Sequence, residues 1–222
     1  MANTTKNEVW EFDGANKAKR ARITIAGDGT LVLNTMNARN TRQLLADDRK
    51  KVKEQPNYWE DIVTSIHWEK PLPFTNTYKE CNEENVKAIF NPANKDKNRP
   101  CITAFGLKKS FGQAVVRNEI DKYSTKLDNA LNIIAKNNLV PIDFAEWAID
   151  TRLMQPQKGS PIVARLNQFS GWTASFDILY TDNVYSLKEI TNIINLAGFG
   201  LGIGSGRSSG YGRYHVVSVQ PK

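Results

Sequence analysis

Between Gly198 and Arg213 the chain concentrates groups that hold anions. Arg207 and Arg213 carry planar guanidinium groups that meet phosphate oxygens two at a time. Ser205, Ser208 and Ser209 add hydroxyl donors, and Gly202, Gly204 and Gly206 add backbone N–H groups that no side chain shields. Seven of the chain's fourteen glycines fall between Gly198 and Gly212. Binding is the chemistry such a set performs, since successive amides can form a nest for an anion. The structural alternative is a loop that only lets a strand pack beneath a helix. Catalysis would need a general acid or base, and the chain offers two histidines, His67 and His215, the second just after the loop. Asp28, Asp143 and Asp150 are scattered, so no local motif points to a metal-assisted site.

The flanking elements decide what these groups belong to. SLKEITNIINLA (Ser186 to Ala197) reads as a helix, and YGRYHVVSV after the loop reads as a strand. The glycines therefore join a helix to a strand, the reverse of the order in a dinucleotide fingerprint. No Gly-Lys-Ser or Gly-Lys-Thr triplet is present, which excludes a P-loop. The helix, the loop GLGIGSGRSSGYGRY and the closing strand resemble the C-terminal signature of the RAMP superfamily, the repeat-associated proteins that bind and process RNA in CRISPR effector complexes. The likeness is closest to small RAMP-like proteins of phages and prophages, and it runs from Trp147 to the C-terminus.

That resemblance implies an α+β fold with a ferredoxin-like (RRM-type) βαββαβ core, insertions, and an arm between the second and third core strands. It also implies that the loop lies against RNA, with Gly202, Gly204, Ser205, Gly206, Arg207, Ser208, Ser209, Tyr211 and Arg213 as contacts. Lys158 and Arg165 join them from the stretch Thr151 to Gln168, which holds no acid. Single-stranded RNA or a nucleotide is the expected partner, alongside self-association or partner subunits. Some relatives cleave RNA with a histidine, but the N-terminal catalytic histidine of the processing members is not found here. A metal-independent nuclease or phosphodiesterase using His215 or His67 is the alternative. A phage accessory protein that sequesters a nucleotide or a host factor is the third reading.

Composition agrees with an anionic partner. The net charge is +7 over 222 residues, with hydrophobic residues at 40%. No apolar run approaches 18 residues, and the N-terminus has no apolar core, so neither a membrane span nor a secretory signal is expected. Cys81 and Cys101 lack zinc spacing and suggest free thiols in a cytoplasm, with no cofactor or metal.

Along the chain, residues 1–20 read as a polar tail, and 21–222 as one domain with insertions at about 35–104 and 155–170. ARITIAGDGTLVLN (21–34) alternates and predicts a strand pair around Gly27-Asp28-Gly29, or one bulged strand. The Arg39-to-Lys53 segment predicts a charged helix, either solvated or laid along a nucleic acid. Alternation from Ile62 to Trp68 predicts a strand, and Cys81 to Arg99 a loop. Helices are expected over 107–119 and 126–139, and strands over 143–154, 172–181 and 211–219. With the helix at 187–197 these give the order β-α-β-β-α-β. Both helices would then cover one face of an antiparallel sheet and leave the other free for bases, with Tyr211 or Tyr214 as the stacking ring.

Overall fold

The computed structural model describes residues 18–46, 55–74, 76–94, 98–154 and 161–222. Its main sheet is built on β1 (Ala18–Gly27), where Ala21, Ile23 and Ile25 point to the core and Arg20, Arg22 and Thr24 to the other face. Antiparallel partners flank β1 on both sides: β10 (Tyr214–Pro221) at the edge, and β9 (Thr173–Thr181) inward. Beyond β9 lie β6 (Leu139–Asp143), β4 (Pro100–Thr103) and the two-residue β3 (His67–Trp68). β5 (Leu131–Ile134) pairs with β9 further along.

Two amphipathic helices cover one face of this sheet. α5 (Ala104–Arg117) starts at Thr103, whose side chain accepts from the Gly106 N–H, and buries Leu107, Phe111, Ala114 and Val115. α7 (Leu187–Gly200) opens with a capping box of Ser186 and Glu189 and buries Ile190, Ile193, Ile194 and Ala197. It rides so close on β10 that a Cβ at Gly198 would lie 1.9 Å from the Tyr214 carbonyl oxygen. The Asn195 side chain accepts from the Val216 N–H at 2.8 Å.

A second, three-stranded sheet runs β2 (Leu31–Leu33), β8 (Ile162–Ser170), β7 (Glu146–Met154). It packs on α2 (Tyr58–Thr64) and α4 (Glu83–Ile89), where Phe90 stacks on Trp147 at 4.0 Å. Buried Asn167 ties the sheet to α2 by donating to the Ile62 carbonyl and Ser65 hydroxyl. α1 (Ala38–Leu45) is fixed to α2 by the bidentate Arg39–Asp61 pair and by Arg42 on fully buried Glu60. α3 (Thr77–Glu80) and α6 (Thr125–Ala130) are short connectors. The fold is thus mixed α and β, with antiparallel sheets. Among the described residues, no helix is long and apolar enough to cross a membrane.

Several elements differ from the sequence reading. The predicted helix over 126–139 stops at Ala130. From there Leu131 and Ile133 are buried and Asn132 and Ile134 exposed, because pairing with β9 overrides the helical spacing of Leu127, Leu131 and Ile134. The strand expected over 143–154 is β7, which belongs to the second sheet rather than the main one. β1 and β2 do not pair with each other. Trp172 fills the space over Gly27 and donates to the Gly29 carbonyl, and the two strands diverge into different sheets. Asn57 caps α2 where a strand over Ile62–Trp68 was expected. Inside the predicted 81–99 loop, Asn82 caps α4.

Candidate nucleic-acid interface

The loop after α7 is built by backbone contacts. The N–H groups of Leu201 and Gly202 both return to the Ala197 carbonyl and close the helix. Ile203 bonds to the Gly212 carbonyl, Gly212 to Thr30, and Ser205 to Val32, so the loop lies along β2. Gly204 has φ +76°, and a Cβ there would sit 2.4 Å from the Val32 carbonyl oxygen. At Gly212, with φ +69°, a Cβ would sit 1.9 Å from the Ile203 carbonyl oxygen. These glycines serve contact with the protein's own backbone.

What the loop presents outward is the short turn Arg207–Ser209, with Arg207, Ser208 and Ser209 exposed. The N–H groups of Gly204, Gly206, Arg207 and Ser208 meet no acceptor among the described residues. Arg207 borders two cavities. One, of about 330 Å³, also takes in His67, Thr103, Lys109, Gln113 and Ser205. The other, of about 400 Å³, takes in Gln113, Arg117, Ser208 and Arg213. Neither has an acidic residue among its described lining, and Lys109, Arg117 and Arg207 have no carboxylate partner among the described residues. Lys109, Gln113 and Arg117 stand at i, i+4 and i+8 on α5, one row facing the loop. That spacing was visible in the sequence, but nothing there placed the helix beside the loop.

The other expected site residues divide. Arg213 donates to the Phe199 carbonyl at 2.9 Å and still lines the second cavity. Tyr211 precedes β10 and is not part of it; its ring packs under Arg152 of β7, which also donates to its hydroxyl. Tyr214 is buried, so neither tyrosine is a base platform on the sheet. The open face of the main sheet instead carries Arg20, Arg22 and Lys222 gathered on Asp177, beside Thr24 and Ser175. Arg165 lies over Tyr58 at 4.6 Å, on the opposite face of the hairpin from Arg152, because alternate residues of a strand point to opposite sides. Lys158 lies outside the described residues.

Of the histidines, His67 sits at the rim of the Arg207 cavity. His215 is elsewhere: on β10 its Nδ1 lies 2.5 Å from the Asp28 carboxylate, and it lines neither cavity. Both cysteines are free and buried, and burial pushes each thiol up to about 12. Among the described residues, no three His, Cys, Asp or Glu side chains cluster as metal ligands would.

No protein-family model matches the sequence, and no curated protein matches it. Among solved structures, the chain is similar to one in the cryo-EM structure of the type III-B Cmr-beta complex bound to cognate target RNA. The TM-score is 0.51 at 11% identity, over 92% of this chain and 60% of that one. The likeness is one of fold, and this chain spans about three fifths of its neighbour's length.

Proposed function

We propose that this chain is a RAMP-like RNA-binding protein that holds the phosphate backbone between its glycine-rich loop and α5. One observation carries the reading: Lys109, Arg117 and Arg207, none with a carboxylate partner among the described residues, converge on adjoining cavities with no acid in their described lining. Uncompensated cations on a groove create the field that gathers a polyanion. Two further facts support it. In chain order β1, α5, β5 with β6, β9, α7 and β10 follow a βαββαβ sequence, and the spatial order β10-β1-β9-β6 suits a ferredoxin-like core. The similar Cmr-beta structure was solved with target RNA bound.

The test is a titration of single-stranded RNA against wild type, Arg207→Ala and Arg117→Ala at two salt concentrations. Each variant should lose about tenfold in affinity, with the salt slope falling by roughly one unit. Wild-type affinity in both variants would sink the reading.

His67 at the rim of the same cavity favours a second activity, metal-independent RNA cleavage. Labelled RNA that stays intact after long incubation with wild-type protein would exclude it.

A further inference from the structure

The row Lys109–Gln113–Arg117 has a second side. On α5, Phe105, Lys109 and Val116 face outward on one side at helical spacing, with buried Gly112 between them. Phe105 is 66% exposed and Val116 44%, although both are apolar. They line a groove of about 650 Å³ that runs along the helix and is bounded across from it by Ser124 and Asp128. Gly112 sets its floor, where a Cβ would come within 2.9 Å of the Ser124 Cβ. Asp128 is the one acid in the groove's described lining. Its carboxylate accepts from Ser124, and its carbonyl accepts from the Lys108 ammonium at 2.9 Å.

This groove is continuous with the loop-side cavities. Gln113 lines all three, Lys109 joins the groove to the first, and Arg117 joins it to the second. One row of cations therefore has donor groups of the glycine loop on one side and an apolar trough on the other. An unpaired nucleic-acid strand has a matching cross-section, with a charged backbone along one edge and apolar base faces along the other. A duplex keeps its base faces stacked inside and offers nothing to the trough.

We infer, building on the reading of the Arg207 cleft as an RNA site, that the outer groove of α5 receives unpaired bases, with Phe105 as the stacking platform. The phosphates follow Lys109 and Arg117, and the bases turn away from the loop. Stacking then occurs on a helix, whereas the open face of the sheet, where an RRM would stack its bases, carries the Asp177 ion cluster.

The experiment uses three probes: a short single-stranded RNA carrying a fluorescent adenine analogue, an abasic strand of equal length, and a duplex of the same sequence. Each is titrated against wild type, Phe105→Ala, Phe105→Trp and Arg207→Ala. Wild type should quench the analogue. Phe105→Ala should lose the quenching and about tenfold in affinity for the single strand, while Phe105→Trp keeps both. The abasic strand should bind wild type and Phe105→Ala equally and weakly, and the duplex should bind less tightly than the single strand. Because Phe105 is exposed, the variants should retain the wild-type far-UV spectrum and unfolding midpoint. An unquenched analogue, a duplex bound as tightly as the single strand, or wild-type affinity in Phe105→Ala overturns the base groove. Arg207→Ala separates the two readings: if it still weakens the single and abasic strands, only the groove has failed. If it binds both as wild type does, the phosphate reading has failed as well.

Discussion

The two faces of the main sheet both carry cations and use them differently. On the open face, Arg20, Arg22 and Lys222 all reach Asp177, and nearby Arg99 grips Glu69 through two bonds at 2.9 and 3.1 Å. On the helix-covered side, Lys109, Arg117 and Arg207 border the two loop-side cavities, whose described linings hold no acid. Asp177 offsets one of its three cations and Glu69 offsets Arg99, and these bonds hold the open-face side chains to the protein itself. Lys109, Arg117 and Arg207 beside the loop have no such partner among the described residues. The lesson is that a net charge of +7 does not locate a binding surface; the distribution of compensating acids does. Arg39 and Arg42 make the same point, because α1 looks like a basic track in the sequence and spends both arginines on α2.

The sharpest way to break this contrast is Gly204→Val. If the glycine serves packing on β2, the substitution should cost about 2–4 kcal/mol of stability in chemical denaturation, through the positive φ and the clash with Val32. Wild-type stability with lost RNA binding would mean that the loop backbone faces the ligand instead.

Next in size is Asp177→Asn. Burial raises the Asp177 pKa, but hydrogen bonds from Lys222, Arg20 and Arg22 outweigh it and hold the carboxyl at about 2, against an ordinary 3.8. The folded value lies below the unfolded one. The stabilisation is therefore present above about pH 4 and lost as the pH falls toward 2. Asp177→Asn should lower stability by about 2 kcal/mol at neutral pH, and its gap to wild type should close over that acid window. Its RNA affinity should hold. Markedly tighter binding, from three freed cations, would make the open face the interface.

The smallest expected effect is Arg22→Ala, which should change RNA affinity by less than about twofold because its guanidinium is bonded to Asp177 on the face away from the loop. A tenfold loss would erase the difference between the two faces.

Much of this arrangement was legible in the residues. The alternation of β1 and β9 and the helical faces of α5 and α7 are strong periodic signals, and the structure contains all four. β5 was not legible, because Leu127, Leu131 and Ile134 satisfy helical spacing as well as Leu131 and Ile133 satisfy a strand, and only β9 decides between them. α2 hid behind an accidental alternation, although Asn57 followed by Glu60 and Asp61 is a helix start. The loop was found by its glycines, and at Gly204 and Gly212 the structure shows close approach to the protein's own backbone, the structural alternative that the sequence left open. Lys109 and Arg117 read from the sequence only as the water-facing side of a helix, because helical spacing gives a face and only tertiary packing says what that face meets.

The close seating of α7 on β10 has a consequence for how molecules of this protein meet one another. An open edge strand is a template for a neighbour's backbone and a route to aggregation. Here the Asn195 side chain occupies the Val216 N–H, and the register shift opposite Thr24 and Ile25 sets Val217 as an extra residue in the strand. Pro221 closes the strand without a donor of its own. The far edge, β3, is two residues long. Two copies meeting at the β10 edge would therefore touch through side chains rather than fuse into a shared ladder there.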